Sequence, residues 1–243
     1  MHDAIKRVCL WSSPRNVSTA FMYSWAQRPD TLVVDEPLYG HYLTHSGLLH
    51  PGRDEIIQSM ECNADKLIWQ MTYGDYPKPI VFFKHMSHHM VKLPLDWMEQ
   101  MVNLFFIRDP GKIISSYAEV ISTPVMDDIG IARQWDQYHF AKQKGYKSIV
   151  LDSGELLKNP SWVLQKLCDA IGITFYQEML QWPSGPKPED GIWAKYWYAQ
   201  VHKSTGFQKP ADKPVVIPVS LRALYDEAMV YYEKMKAFSI LAD

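Results

Sequence analysis

The sequence predicts an α/β protein with a mostly parallel sheet of about five strands and helices on both faces. Short apolar runs alternate along the chain with longer amphipathic segments, which is the order typical of parallel α/β folds. The apolar runs are rich in β-branched and aromatic residues and are too short for helices. Because the 243 residues contain no internal repeat and no low-complexity linker, we expect a single domain over residues 1–243.

Each predicted strand corresponds to one apolar run. In order they are RVCLW at residues 7–11, TLVVD at 31–35, IVFFK at 80–84, VNLFFI at 102–107 and SIVLD at 148–152. Helices are predicted at residues 18–27, 55–69, 111–121, 131–144, 161–171 and 221–236. The clearest helix start is at residues 159–161, where Pro160 or Ser161 can open the first turn, and Gly172 closes that helix. Proline-containing stretches at 182–190 and 209–218 are predicted to be irregular.

Charge and cysteine content exclude several classes of protein. The net charge of −2 argues against a broadly basic surface for nucleic acids, although it is compatible with a local anion site. The three cysteines, Cys9, Cys62 and Cys168, are an odd number without a C-x-x-C pair, so we expect neither a disulfide framework nor a zinc cluster. These features favour the reducing cytoplasm. No apolar run approaches the roughly 20 residues that a membrane span needs, so no membrane partner is expected.

A polar loop, residues 12–19, separates the first predicted strand from the first predicted helix. Backbone N–H groups at a helix start have no intrahelical partner and the helix dipole adds positive charge, so an anion can bind here with help from Arg15 and the loop hydroxyls. The same residues also suit an ordinary cap, with Asn16 or Ser18 as N-cap and Arg15 solvated. The loop lacks the Gly-Lys-Ser/Thr of a Walker A motif, which disfavours ATP or GTP chemistry.

A second polar motif follows the fourth predicted strand. Arg108 ends that apolar run, and Ser116 lies eight residues later in the next predicted helix. Loops after parallel strands face the ligand crevice, and a guanidinium group offers a planar fork for phosphate. Taken singly, Arg108 can form an ion pair with Asp109 and Ser116 can be an incidental helical serine. Together with the loop after the first strand, they predict a phosphate site at the strand ends.

These two motifs resemble those of sulfotransferases that use 3′-phosphoadenosine 5′-phosphosulfate, PAPS, and release PAP. The family's first loop, Pro-Lys/Arg-Ser-Gly-Thr/Ser-Thr, binds the 5′-phosphosulfate, and its strand-end Arg-Asn/Asp-Pro with a serine eight residues on binds the 3′-phosphate. Residues 148–175 are similar to the family's strand, acidic-Leu-Leu, Asn/Asp-Pro and helix block. The resemblance covers residues 7–175 and is closest to the bacterial and carbohydrate-type branch. A similar domain occurs in plant proteins named branched-chain aminotransferase-like.

The resemblance implies a P-loop-type three-layer fold and a PAPS site. The implied cofactor-binding residues are Pro14, Arg15, Asn16, Val17, Ser18, Thr19, Arg108 and Ser116. Arg15 is implied to neutralise charge on the departing 5′-phosphate. The chain departs from the family pattern where Val17 replaces the loop glycine and where Ala20 replaces the aromatic residue that many cytosolic members place against adenine. Trp193 or Trp197 is an alternative platform for the adenine ring.

The catalytic base has several candidates. Lys84 and His85 end the third strand and resemble the Lys-x-His segment of cytosolic sulfotransferases, but adjacent strand residues point to opposite faces unless the chain has turned. His88 and His89 are therefore also open, since an imidazole has a suitable intrinsic pKa. Glu36 is an equal rival to His85, because carbohydrate-type members have a glutamate in a similar Glu-Pro context. The implied catalytic residues are Arg15, Glu36, Lys84 and His85.

The sequence as a whole predicts a cytoplasmic PAPS-dependent sulfotransferase that acts on a hydroxyl or amine of a small-molecule or saccharide acceptor. The alternatives are a PAP-binding protein of the same fold without transfer activity and a P-loop kinase. Histidines occur at metal-type spacings at positions 41 and 45 and at positions 85, 88 and 89, but no Cys or Asp spacing accompanies them. Because PAPS chemistry needs no metal, none is predicted.

Overall fold

The computed structural model describes residues 5–118, 124–209 and 215–243. In it, six strands form one sheet in the order β2-β3-β1-β4-β5-β6, and every paired neighbour is parallel. The strands are β1 (Lys6–Ser12), β2 (Thr31–Asp35), β3 (Ile80–Met86), β4 (Val102–Ile107), β5 (Ser148–Asp152) and β6 (Ser239–Ile240). The predicted α/β fold with a parallel sheet is confirmed. The sixth strand was not predicted, because two residues carry no periodic signal.

Helices connect the strands and cover the sheet. They are α1 (Ser18–Ala26), α2 (Tyr39–Ser46), α3 (Arg53–Ser59), α4 (Ala64–Tyr73), α5 (Pro110–Ala118), α6 (Met126–Ile129), α7 (Ile131–Gln143), α8 (Ser153–Lys158), α9 (Pro160–Ile171), α10 (Ala194–Trp197) and α11 (Arg222–Lys236). The single helix predicted at 55–69 is wrong, because the chain breaks between α3 and α4. Asn63 caps α4 there by accepting a hydrogen bond from the Lys66 N–H at 3.0 Å. Parts of the stretches predicted at 111–121 and 209–218 lie outside the described residues.

The alternation of side chains along β1 creates an apolar core on each face of the sheet. Val8 and Leu10 pack on one face with α1 and α9, whereas Cys9 and Trp11 pack on the other with α5, α7 and α11. All four side chains are fully buried. A central strand that is covered on both sides therefore reads as a continuous apolar run, which is why these strands are visible in the sequence.

The parallel direction brings the carboxyl ends of the strands to one edge of the sheet. Ser12 of β1 is level with Met86 of β3, and Asp35 of β2 is level with Lys84 of β3. Strand β1 lies between β3 and β4, so its loop occupies the middle of this edge. Ligands of parallel α/β sheets bind in the crevice at such an edge. No helix in the described ranges combines the length and apolar character needed to cross a membrane.

Candidate functional site

The loop after β1 leads into α1 through a strained turn. Arg15 has a φ of 56°, a left-handed value that costs a non-glycine residue about 1–2 kcal/mol and that recurs at ligand sites. Val17, at the start of α1, has a φ of −87°, so the position does not require glycine. The Asn16 side chain accepts from the Val17 N–H at 2.8 Å and donates to the Phe106 carbonyl at 2.9 Å. Within the described chain no side chain caps α1, which leaves its first N–H groups for an anion.

Arg15, Arg108 and Ser116 come together beside this loop. Arg15 Nε donates to Ser116 Oγ at 2.9 Å, and Arg108 Nη1 donates to the Arg15 carbonyl oxygen at 2.6 Å. Among the described residues Asp109 forms no salt bridge with Arg108, and its Oδ1 accepts from the Gly111 N–H at 2.7 Å. Burial lowers the pKa of the Arg108 guanidinium, and the positive charge of Arg15 adds to this effect. Two guanidinium groups and a hydroxyl thus form a local concentration of donors that suits a phosphate.

The junction between α6 and α7 supports the loop from the other face of the sheet. The buried Gln134 amide donates to the carbonyl oxygens of Trp11 at 2.9 Å and Phe106 at 3.0 Å. Gly130 has a φ of 74°, and a Cβ atom there would lie 3.4 Å from Pro14 Cδ. This close approach and the two hydrogen bonds hold the ends of β1 and β4 in place.

A second polar cluster lies one strand away from the loop and consists of Asp35, Glu36, Lys84 and Tyr198. Lys84 is 1% exposed. Its ammonium donates to Asp35 Oδ1 at 2.9 Å, to Glu36 Oε1 at 2.5 Å and to Tyr198 Oη at 2.8 Å. The Tyr198 hydroxyl donates to Asp35 Oδ2 at 2.7 Å. Glu36 has a φ of 42°, so its backbone also has a strained left-handed conformation.

The ion pairs decide the charge states of this cluster. Burial alone would lower the pKa of Lys84, but the Asp35 and Glu36 carboxylates outweigh it and raise that pKa above its usual range. Burial raises the pKa of Glu36, with Lys84 opposing the rise and Asp35 adding to it. Burial raises the pKa of Tyr198 as well, and both carboxylates act in the same direction. Near neutral pH the cluster therefore contains an ammonium group and a neutral phenol.

His85 lies on the opposite face of the sheet from Lys84. Its ring stacks on Trp11 with a centroid distance of 4.7 Å and packs near Phe83 and Trp97. Both ring nitrogens are buried, and neither has a hydrogen-bond partner in the described part of the chain. Burial, followed by the charge of Lys84, lowers the pKa of His85 to about 3. The structure thus places His85 in the core and does not bring it to the Lys84 cluster.

His88 and His89 lie in the turn after β3, against α2. His89 stacks on Tyr39 at 4.8 Å and on Tyr42 at 4.6 Å, and the edge of the His88 ring meets Tyr42 at 4.9 Å. Burial lowers the pKa of His88 to about 3 and lowers that of His89 as well. Both rings are therefore neutral aromatic packing groups near neutral pH.

The two tryptophans proposed as adenine platforms have different surroundings. Trp193 is 4% exposed, meets Tyr39 edge-on at 5.3 Å and donates from Nε1 to Tyr198 Oη at 3.2 Å. Trp197 is 49% exposed and lies 6.1 Å from the ring of His50. Trp193 is thus buried against the Lys84 cluster, whereas the ring of Trp197 is exposed.

The carboxyl-terminal segment that carries Tyr198 is attached to both halves of the site through Asp190. Asp190 accepts from the Tyr23 hydroxyl on α1 at 2.6 Å, and its other oxygen lies 2.9 Å from His202 Nε2. The next residue, Gly191, donates its N–H to Asp35 Oδ2 at 3.4 Å. The segment around Asp190 therefore connects α1 to the end of β2.

Sequence reasoning did not select Asp35, Gln134, Asp190 or Tyr198 as site residues. Asp35 had a signal, since two adjacent carboxylates at a strand end are unusual, but the other three are ordinary polar residues until the fold assembles them. For metals, the described residues contain no group of three His, Cys, Asp or Glu side chains arranged to hold an ion.

Replacing Lys84 with methionine is expected to lower the free energy of unfolding by about 3–5 kcal/mol at pH 7, because two buried carboxylates lose their cation. Burial already raises the pKa of Glu36, and without Lys84 this carboxylate binds its proton still more tightly in the folded chain, so the loss shrinks as the pH falls towards 4. Urea unfolding at pH 7 and pH 4.5 measures both effects. Lys66→Met, at a side chain that is 72% exposed, is the control and should change stability little. An equal loss at both pH values would contradict the assignment of charge.

A family model and two plant proteins match most of the chain. The family model described as a sulfotransferase domain matches residues 6–239. The branched-chain-amino-acid aminotransferase-like proteins 1 and 2 of Arabidopsis thaliana are similar at 39% identity over 228 residues and 37% over 227. Each alignment covers 93% of this chain but only 41% and 40% of the plant proteins. The chain thus spans about two fifths of the length of these curated relatives.

Solved sulfotransferase structures share the fold. The sulfotransferase domain from the curacin biosynthetic pathway superimposes with a TM-score of 0.59 at 14% identity, covering 98% of this chain and 99% of that one. A sulfotransferase from Alicyclobacillus acidocaldarius gives a TM-score of 0.58 at 12% identity, with 98% of each chain covered. At such identities the likeness concerns the fold alone. The match over residues 6–239, together with the strand order and site described above, shows that this chain belongs to the sulfotransferase domain family.

Proposed function

We propose that this protein is a cytoplasmic PAPS-dependent sulfotransferase, which transfers a sulfuryl group to a hydroxyl or amine of a small-molecule or saccharide acceptor. The observation that carries the proposal is the convergence of Arg15, Arg108 and Ser116 beside the uncapped start of α1. These groups come from the loop after β1 and from the segment after β4. They meet because the two strands are parallel neighbours.

The chemistry of these groups fits the two anionic ends of PAPS. Its 5′-phosphosulfate and 3′-phosphate accept hydrogen bonds and donate none, and the site offers N–H groups, two guanidinium groups and hydroxyls. Ser13 Oγ is buried and has no hydrogen-bond partner among the residues described, so it is a further donor for an anion at the loop. The bound nucleotide would supply the activated sulfuryl group.

Each group of hydrogen-bond donors is assigned to one end of PAPS. We assign residues 14–19, with Arg15, to the 5′ end and Arg108 with Ser116 to the 3′-phosphate. The position of the loop at a helix start supports the first assignment, because the dipole and free N–H groups act within the first turn. The partial burial of Arg108 supports the second, since a guanidinium group interacts more strongly with phosphate where water is scarce. In this arrangement Arg15 offsets negative charge that develops at the 5′ end.

Glu36 is the proposed base. Its Oε1 accepts from Lys84, whereas its Oε2 forms no hydrogen bond with the described residues and can take the acceptor's proton. Burial raises the pKa of Glu36, which makes its carboxylate a better proton acceptor near neutral pH. His85 suits the role less, because its nitrogens are enclosed beside Trp11. The Lys84 ammonium already donates to three oxygen atoms. We therefore assign Lys84 to holding Glu36 and not to contacting the molecule that receives the sulfuryl group.

Nucleotide binding is the first test. PAP at about 100 times its Kd is expected to stabilise the fold by about 2.7 kcal/mol, which raises Tm by about 5–10 °C for a chain of this size. Differential scanning fluorimetry with PAP, AMP and ATP measures the effect, with AMP as the control that lacks the 3′-phosphate. No shift with saturating PAP would contradict the proposal, and a larger shift with ATP would favour a kinase.

Turnover is the second test. Sulfur-labelled PAPS should be consumed when a panel of alcohols, amines and saccharides is supplied. Binding of PAP without consumption of PAPS across that panel would instead support a nucleotide-binding protein without transfer activity.

A further inference from the structure

The two carboxylates of the Lys84 cluster have different hydrogen-bond environments. Asp35 uses both oxygens, since Oδ1 accepts from Lys84 and Oδ2 accepts from the Tyr198 hydroxyl and the Gly191 N–H. Glu36 uses only Oε1, which accepts from Lys84 at 2.5 Å. Asp35 therefore has a saturated carboxylate, whereas Glu36 retains an oxygen that can accept a proton.

Tyr198 accounts for the difference between the hydrogen bonds of the two carboxylates. A phenol has one proton to donate, and the 2.7 Å contact with Asp35 Oδ2 is much shorter than the 3.4 Å contact with Glu36 Oε1. The oxygen of the same phenol accepts from Lys84 at 2.8 Å and from Trp193 Nε1 at 3.2 Å. One side chain thus fixes the orientation of Asp35 and occupies the third N–H of Lys84.

The same contacts constrain the Lys84 ammonium. All three of its N–H groups have acceptors, from β2, from the residue after β2 and from the segment around α10. With Tyr198 and Asp35 in place, the ammonium has no freedom to turn away from Glu36 Oε1. A buried ammonium group whose three N–H groups all have acceptors is held in a single geometry.

We propose that Tyr198 and Asp35 are positioning residues for Glu36: together they hold Lys84 against Oε1 and leave Oε2 as the one oxygen that takes the acceptor's proton. The inference rests on the proposed role of Glu36 as the base. It also gives the carboxyl-terminal segment a part in the reaction, because Tyr198 is 114 residues away from Lys84 in the sequence.

Titratable groups face the cluster from every neighbouring element. They are Tyr23 on α1, Tyr39 on α2, His89 in the turn after β3, and Asp190 on the carboxyl-terminal segment. Burial keeps the two tyrosines and His89 uncharged at neutral pH, and Asp190 is hydrogen-bonded to Tyr23 and His202. A change of protonation in the cluster is therefore assigned to Glu36, whose pKa is raised by burial.

Tyr198→Phe tests the proposal, because it removes only the hydroxyl. The Tyr198 hydroxyl lowers the pKa of Glu36, so its removal is expected to move the titration of Glu36 to higher pH by about one pH unit. Carbon-13 NMR of Asp- and Glu-labelled protein follows this titration directly, with Glu36→Gln as the spectrum for assignment. In transfer assays the acid limb of kcat should move by the same amount, so that kcat falls about fivefold at the pH of the wild-type midpoint. The Kd of PAP should stay unchanged.

Tyr232→Phe is the matched control. Tyr232 is 3% exposed and donates to Asp152 Oδ2 at 2.9 Å, so it loses the same kind of buried bond at the far side of the sheet. We expect a comparable loss of stability and no movement of the Glu36 titration.

If Tyr198→Phe loses stability like Tyr232→Phe but keeps the wild-type titration and pH profile, Tyr198 is only structural and the proposal is overturned. If the wild type transfers no sulfuryl group at all, the proposed function fails, yet the NMR titration still decides whether Tyr198 controls the titration of Glu36.

Discussion

Arg108→Ala is expected to remove most of the stabilisation by PAP. The guanidinium is partly buried and already oriented by its bond to the Arg15 carbonyl, so its loss removes both charge and a preorganised fork from the phosphate site. Truncating one partner of a buried charged hydrogen bond costs about 2–5 kcal/mol, which weakens the Kd of PAP by about 30-fold or more. Isothermal titration calorimetry measures this constant, and the Tm shift of about 5–10 °C should fall to about 3 °C or less at the same PAP concentration.

Two further variants make the Arg108 experiment specific. Arg108→Lys keeps the charge but not the planar fork, and should recover part of the affinity. Arg222→Ala removes a guanidinium that is exposed at the start of α11 and pairs only with Asp226 among the described residues, and it should leave PAP binding unchanged. If Arg108→Ala binds PAP as tightly as Arg222→Ala does, the 3′-phosphate is not held at this site.

Glu36→Gln is expected to reduce transfer by about 10²–10⁴-fold, the range that general bases contribute. The substitution preserves the size of the side chain and an oxygen that can accept from Lys84, so folding and the Kd of PAP should change little. Consumption of labelled PAPS with the acceptor that the wild type uses provides the measurement.

The control for Glu36→Gln is Glu155→Gln, which alters another buried glutamate, bonded to Lys158 and the Ala242 N–H at the far edge of the sheet. It should keep full activity. The pH profile gives a second criterion. A base whose pKa is raised by burial produces an acid limb as the carboxylate is lost, whereas a base with a pKa of about 3, such as His85, gives a flat profile above pH 5. A flat profile with loss of activity in His85→Ala would contradict the assignment to Glu36.

The main strands were predictable because each is a short run rich in apolar, β-branched or aromatic residues. Strands β2, β4 and β5 have the predicted bounds, although β2 lies at an edge of the sheet. The two-residue β6 and the break between α3 and α4 were missed. The first has no pattern to detect, and the second depends on a local cap at Asn63 that competes with a weak helical periodicity.

The polar loop between β1 and α1 could also be predicted from the sequence, because its parts are neighbours in the chain. A strand, a polar loop and a helix are consecutive, and a second polar residue at the end of a parallel neighbour must lie at the same edge of the sheet. The meeting of Arg15, Arg108 and Ser116 follows from this topology. The binding roles of these residues remain predictions that the experiments above address.

The acid-base cluster was different, because it depends on packing between distant parts of the chain. The alternation of β3 placed Lys84 and His85 on opposite faces, as expected, but only the packed structure shows that Trp11 encloses His85 while Asp35 and Glu36 receive Lys84. Tyr198 has no sequence signal at all, since its role arises from a hydroxyl that folds back onto β2. Local periodicity and parallel topology thus determine the fold and the position of the polar loop between β1 and α1. Long-range burial decides which neighbouring groups are paired, protonated or free to react.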